Sequence, residues 1–337
     1  MDLPTASFSF VLPSVYDGNK LECRIYLPPA LKNIESPTTW SNRGAIVAHP
    51  YATLGGCYDD PVVDFIGSEL IQAGCILGTF NFRGAGNSQG RTSWTAKPEL
   101  GDYVSFYGFM LQYLHFLKLV LASREQVDPS KPQKAIDGVG NSSDICLILG
   151  GYSYGSLIAS HVPTLDTMLG LFQFTPTTTS TNRATPIHEI RNTAKRIAAL
   201  SLERLQISHS LADDPDLGAL TTSISYLLVS PLLPPISQFL TAFSTLSLNL
   251  KTETPNGPHI PCPRPADQQS THNTLALFGD QDTFTSTGKL QRWSDKMVNM
   301  ERSKFQFRMI DGAGHFWREN GVEVRARHAL KEWLCQI

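Results

Sequence analysis

The 337-residue sequence has no run of like charges. Its 28 lysine and arginine residues stand against 30 aspartate and glutamate residues, for a formal net charge of -2. With neither a basic cluster nor an acidic tail, nucleic acid and anionic membrane surfaces are not expected partners. Cysteine is sparse as well. Six residues (Cys23, Cys57, Cys75, Cys146, Cys262 and Cys335) are scattered without Cys-x-x-Cys spacing, which argues against a zinc site and against a disulfide framework and leaves reduced thiols as the expectation. Long uninterrupted apolar runs are also missing. The most apolar one, "VSFYGFMLQYLHFLKLVLAS", is broken by Gln112, His115 and Lys118 at intervals near one helical turn and reads as a buried amphipathic helix. The other, "ISYLLVSPLLPPISQFLTAF", contains Pro231, Pro234 and Pro235, so no membrane span is expected. The amino terminus "MDLPTASFSFVLPS" lacks a basic segment ahead of a long apolar core, which predicts no secretory signal and makes the cytoplasm the expected location. On that reading the sequon "NSS" at Asn141 is an unmodified loop.

What the sequence does contain is an alternation of short apolar runs with helical patterns. Eight strand candidates stand out: "FSFVL", "LECRIYL", "GAIVAHP", "CILGTFNF", "ICLILGG", "ISYLLVS", "TLALFGD" and "FQFRMID". Several are apolar on both faces, which suits a parallel sheet covered by helices on both sides. Helical patterns lie between them around "PVVDFIGSELIQAG", "DYVSFYGFMLQYLHFLKLVLA", from Gly155 to about Leu169, around "TGKLQRWSDKMVNM" and at "VEVRARHALKEWL". Two stretches depart from this rhythm, residues 172–222 and 232–271, both too long for a simple crossover. They read as insertions into one domain spanning 1–337 and are expected to form a lid over the ligand crevice at the carboxyl ends of the strands. In the first, Ile187, Ile190, Ala194, Ile197, Ala198 and Leu202 share one face of a helix, which either packs on the domain or roofs the crevice.

The octapeptide "LGGYSYGS" ends one of these apolar runs. Gly151 and Gly155 flank Ser153, a strand precedes it and a helix follows, which is the setting of a strained turn that exposes a serine oxygen. A serine hydroxyl is a poor nucleophile at neutral pH and needs a base, itself oriented by an acid. "LFGDQDTF" supplies Asp280 and Asp282 after a later strand, and "GAGHFW" supplies His315 after the last one.

With these three segments in the order Ser, Asp, His, the chain resembles the α/β-hydrolase superfamily from about Phe8 to its end, the two insertions excepted. The segments "AHPYATLGG" and "FNFRGAGNSQG" are similar to those of its esterase and acyl-peptidase branches. The resemblance implies an α/β-hydrolase fold: a mostly parallel sheet of about eight strands, helices on both faces and an inserted lid. It implies Ser153 as nucleophile, His315 as base and, from the family's Gly-x-x-Asp pattern, Asp282 rather than Asp280 as acid. The oxyanion hole would be formed by the N–H groups of Tyr154 and Tyr51, with Ala52 as the alternative to Tyr51, since Pro50 has no N–H to offer. His49 stands where many relatives have the histidine of His-Gly, and Asn81 where many have an acid, so any salt bridge made by that acid is absent. Despite Gly84, Gly86 and Gly90, the second segment lacks dinucleotide-binding spacing and reads as a structural loop.

The activity so implied is cleavage of an ester or thioester with an apolar acyl group through an acyl-enzyme, with no cofactor and no metal. The leucine, phenylalanine and proline content of the second insertion carries the expectation of an apolar small-molecule substrate. The superfamily also includes accessory enzymes of fungal secondary-metabolite pathways. In these the same triad can perform condensation, cyclisation or acyl transfer on a polyketide-like substrate. A non-catalytic binding protein on the same fold is the remaining alternative, and small-peptide cleavage would also suit the motifs. Oligomeric state is not legible.

Overall fold

The computed structural model describes residues 2–32, 40–125, 145–173, 185–207, 221–242, 246–249 and 259–337. Asn141 and parts of both insertions lie outside them. All eight strand candidates form one sheet: β1 (Phe8–Pro13), β2 (Lys20–Tyr26), β3 (Arg43–Ala48), β4 (Ile76–Phe80), β5 (Ile145–Tyr152), β6 (Thr222–Val229), β9 (Asn273–Gln281) and β10 (Phe305–Gly314). Two short strands, β7 (Ser247–Asn249) and β8 (His259–Pro261), pair with each other in the second insertion. The spatial order is β1-β2-β4-β3-β5-β6-β9-β10. β2 is antiparallel to β1 and to β4, and the six strands from β4 to β10 are parallel. This is the α/β-hydrolase architecture, and it brings the carboxyl ends of six strands to one edge.

Helices cover both faces. α1 (Pro61–Gln72) and α9 (Val322–Leu334) touch on one side, and the long α2 (Lys97–Glu125) packs with α5 (Pro186–Arg204) on the other. α7 (Pro265–Thr271) and α8 (Thr287–Val298) flank β9 and β10. The start of α1 is set locally: the Asp60 carboxylate accepts the Val62 N–H at 2.8 Å, and Pro61 occupies the first turn, where its missing N–H costs nothing.

α2 differs from the amphipathic helix expected of it. It is long and apolar enough to cross a membrane by length and composition, yet most of that span is buried inside the protein. Tyr103, Phe106, Tyr107, Phe109, Met110, Tyr113 and Leu114 are inaccessible on every side, because sheet and α5 together enclose the helix. Even the expected interruptions Gln112 and His115 are buried. Gln112 Nε2 donates to the Phe172 carbonyl at 3.1 Å, and His115 Nε2 lies 2.9 Å from Thr222 Oγ1.

The helix expected from Gly155 to about Leu169 is two helices, α3 (Tyr154–Ala159) and α4 (Leu165–Phe172). Pro163 has no N–H to continue the ladder and disfavours helical backbone at Val162. The chain restarts at Thr164, whose hydroxyl caps the Thr167 N–H. In the first insertion, Ile190, Ala194, Ile197, Ala198 and Leu202 of α5 belong to the main apolar cluster with α2 and β1, and Ser201 Oγ lies 2.9 Å from Tyr113 OH. The apolar stripe of α5 thus serves the core. In the second insertion, α6 (Ile236–Leu240) follows β6 and leaves Phe239 largely exposed.

Candidate active site

Ser153 sits between β5 and α3 with φ 54° and ψ -113°, in the positive-φ region that L side chains avoid. Hydrogen bonds to its own main chain hold it there. The Ser153 N–H donates to the Val229 carbonyl at 2.8 Å, while the Ser153 carbonyl accepts from Ser156 Oγ at 2.7 Å and from the Leu157 N–H at 3.1 Å. The two flanking glycines are required by proximity rather than by dihedral angle. A Cβ on Gly151 would strike the backbone of Gly155, and one on Gly155 would strike the Ala48 carbonyl. Strand and helix therefore cross at backbone contact, which leaves the serine at the tip of the turn.

His315 and Asp282 arrive from β10 and β9. His315 Nε2 lies 2.9 Å from Ser153 Oγ, and His315 Nδ1 lies 2.7 Å from Asp282 Oδ2, with all three side chains buried. An ionised carboxylate only accepts, so Nδ1 carries the proton and Nε2 is left to accept from the serine hydroxyl. The other oxygen of Asp282, Oδ1, accepts the N–H groups of Phe284 at 2.8 Å and Thr285 at 2.9 Å, which fixes the carboxylate plane. Asp280 has a different task. Its Oδ1 accepts the Gly312 N–H at 2.7 Å, tying the end of β9 to an irregularity in β10 between Ile310 and Gly314. Gly279 allows this approach, because a Cβ there would overlap the Ala313 carbonyl. Asp311 remains in β10, its carbonyl accepting from Arg325.

The loop after β3 carries the remaining site residues. His49 is fully buried. Its Nε2 accepts the Phe82 N–H at 2.9 Å, so its Nδ1 donates to the Pro50 carbonyl at 2.6 Å. Burial pushes its pKa down to about 4, which keeps it neutral and in that tautomer. It cross-links the loops after β3 and β4. Tyr51 then turns the chain into a single helical turn, its carbonyl accepting from Leu54 and Gly56 at 3.0 and 3.2 Å, and its ring lies 5.0 Å from that of Tyr154. As the first residue of α3, Tyr154 has an N–H with no acceptor inside its helix.

The glycine-rich loop after β4 is structural. Asn81 accepts the Tyr58 N–H at 2.8 Å and donates to Glu22 at 3.0 Å, so both ends of the amide are used. Arg83 finds its partners elsewhere: it pairs with Asp102 at 2.6 Å and with Asp17 at 2.8 Å. His161 bonds the Leu157 carbonyl through Nδ1, and His328 lies on the surface beside Glu332. Among the described residues no cluster of His, Cys, Asp and Glu has metal-holding geometry.

Sequence reasoning passed over three neighbours of His315. Tyr152 donates from its hydroxyl to the His315 carbonyl at 2.9 Å, and Phe284 stacks on the imidazole with centroids 4.2 Å apart. Trp317 donates from Nε1 to Ser230 Oγ at 2.9 Å. Tyr152 and Trp317 lie inside motifs already singled out, "GYSYGS" and "GAGHFW", but their partners are far away in the chain.

No protein-family model matches the sequence, nor does any curated protein. Similar solved structures include an α/β serine hydrolase without lid from Xanthomonas campestris, at 16% identity and a TM-score of 0.49, covering 99% of this chain and 96% of that one. An α/β serine hydrolase homologue from Coxiella burnetii is 18% identical with a TM-score of 0.46, covering 98% of each chain. Est1E from Butyrivibrio proteoclasticus, bound to ferulic acid, is 14% identical with a TM-score of 0.47, covering 97% of this chain and 98% of its own.

Proposed function

We propose that the protein is a serine hydrolase that cleaves an ester or thioester bearing an apolar acyl group. The observation that carries this reading is the buried relay from Ser153 Oγ to His315 Nε2 at 2.9 Å and from His315 Nδ1 to Asp282 Oδ2 at 2.7 Å, assembled from the ends of three separate strands. In the first half-reaction Ser153 Oγ attacks the carbonyl carbon while its proton passes to His315 Nε2. The tetrahedral oxyanion takes hydrogen bonds from the N–H groups of Tyr154 and of the Tyr51 loop. Collapse expels the alcohol or thiol, which takes the proton back from His315 and leaves an acyl-serine. Water, deprotonated by the same histidine, then attacks the acyl carbonyl, releasing the acid and restoring the serine. Asp282 accepts the Nδ1–H throughout and stabilises the imidazolium.

Support for an apolar acyl group comes from aromatic residues that belong to the site's loops: the rings of Tyr51 and Tyr154 lie 5.0 Å apart, and Phe284 and Phe316 pack around His315. Each methylene that such surfaces bury adds about 0.8 kcal/mol at most. Catalytic efficiency on p-nitrophenyl esters is expected to rise from acetate towards octanoate, and a flat series would remove the apolar specification. The decisive test of the hydrolase reading is labelling with a fluorophosphonate followed by peptide mapping. Modification of Ser153 alone is expected; modification elsewhere, or none, overturns the reading.

A further inference from the structure

The base is carried by a strand that is not next to the nucleophile. In the order β5-β6-β9-β10, the strand leading to His315 is three positions from the strand leading to Ser153. At about 4.8 Å per strand the two backbones are separated by about 14 Å along the sheet. The loop after β10 must lean back over β9 and β6 to bring the imidazole to the serine, and something must hold it there. Asp282 fixes the ring at Nδ1 but comes from β9 and does not reach the nucleophile's strand.

Tyr152 closes the gap that remains once the loop leans in. It is the last residue of β5, directly before Ser153, and its side chain belongs to the apolar cluster on the α1 and α9 face together with Ala313 and Trp317. From there its hydroxyl donates to the His315 main-chain carbonyl at 2.9 Å, a buried bond. Its ring lies 5.7 Å from the imidazole. Burial raises the phenol pKa far above neutrality, so the donor stays protonated at any working pH.

We propose that Tyr152 is a positioning residue: it pins the His315 backbone to the strand that presents the nucleophile, so that the Ser153–His315 separation is set by a tether within the site rather than by the sheet edge alone. The proposal rests on the hydrolase reading for its kinetic consequences and on geometry alone for the tether. A bond of this kind acts on the approach of base to hydroxyl and not on substrate binding. A displacement of about 1 Å at such a point costs up to roughly 100-fold in rate.

The experiment compares the wild-type protein with Tyr152→Phe, which keeps the ring and removes the donor. The expected result is a kcat on p-nitrophenyl butyrate lowered roughly 10- to 100-fold, with KM within about twofold. The rate of fluorophosphonate labelling at Ser153 falls by the same factor. In proton NMR the low-field resonance of the His315 Nδ1–H broadens, as expected of a ring no longer held in one place. Replacement of Tyr152 by para-aminophenylalanine, which restores an N–H donor on the same ring, recovers most of the lost turnover. Wild-type kcat, labelling rate and resonance in Tyr152→Phe overturn the proposal, even if the variant melts at a lower temperature. If Tyr152→Phe does not fold, replacement of Tyr152 by para-fluorophenylalanine, which fills the space of the hydroxyl without a donor, carries the test. A fall in turnover and labelling rate at unchanged KM supports the tether, and wild-type turnover and labelling overturn it. Activity retained in Ser153→Ala would sink the hydrolase reading instead, and the Nδ1–H resonance would still report whether Tyr152 holds His315.

Discussion

The two arms of the proposed catalytic site are fixed by different means. The nucleophile arm is held largely by main chain: backbone hydrogen bonds to Val229 and Leu157, with Ser156 Oγ the one side-chain donor, and glycines at 151 and 155 where backbones touch. The base arm is held largely by side chains: Asp282 on the imidazole, Tyr152 on the carbonyl, Trp317 on Ser230 and Glu319 on the Gly314 N–H at 3.0 Å. Substitutions in the first arm should therefore be felt as loss of fold, except at Ser153 itself. Those in the second should be felt as loss of rate, because a buried hydrogen bond is worth only about 1 kcal/mol to stability while the placement of a catalytic group governs orders of magnitude in turnover.

The largest test removes the reacting groups. Ser153→Ala should lower turnover by about 10⁴ to 10⁶ without changing the melting temperature by more than a few degrees, and Asp282→Asn by about 10⁴, measured on a p-nitrophenyl ester. Asp280→Asn should stay within about tenfold of wild type, since its partner is the Gly312 N–H and not the histidine. The reverse ranking of the two aspartates would break the comparison at its base arm.

Next comes the glycine arm. Gly155→Ala must push apart the helix and the Ala48–His49 backbone, and overpacking against main chain is expected to cost about 3 kcal/mol or more in urea unfolding. A stable Gly155→Ala protein with ordinary turnover would show that the elbow tolerates more than its geometry allows.

The third expected effect concerns pH. Burial pushes His49 and His115 each down to about 4 from an ordinary value of 6.5. Between those values the unfolded chain binds more protons than the folded one, so stability is fully present above about pH 6.5 and falls as pH drops towards 4, by on the order of 3 kcal/mol for each histidine. Burial raises the carboxyls of Glu99 and Asp102, which act in the opposite sense and blunt the loss. Urea midpoints at pH 7 and 4.5 should show the fall, and His115→Gln should make it shallower.

The smallest effect is assigned to Trp317→Phe, which removes the bond to Ser230: about 1 kcal/mol of stability and a few-fold loss of turnover, measured side by side. A loss of stability with no loss of rate would mean that the base arm is not so dependent on its side-chain ties.

The same contrast governs what could be read from the sequence. Ser153 was legible because a strand, two glycines and a helix are local signals, and the eight strands were legible because parallel strands buried on both faces are written as apolar runs. Asp282 and His315 lie at strand ends that the same runs mark. What could not be read is non-local. The apolarity of α2 on all sides depends on α5 covering its far flank, and the apolar stripe of α5 gave no indication that α2 was its partner. Tyr152 looked like one variable position inside a short motif, because its hydrogen bond reaches 163 residues along the chain. Pro163 is a local stop signal that overrides the apolar periodicity running through it, which is why one expected helix is two.

Trp94 offers a different use. Of the five tryptophans, Trp40, Trp317 and Trp333 are buried and Trp293 is half-buried, while Trp94 is 81% exposed. It stands on the loop after β4, braced by Ser93, whose N–H and hydroxyl both bond Glu99. An indole that is largely wetted and held on a braced loop makes the protein its own optical sensor. Iodide, which reaches only wetted rings, would quench the Trp94 share of the emission and spare the interior. Anything that settles over this loop would then announce itself as lost quenching.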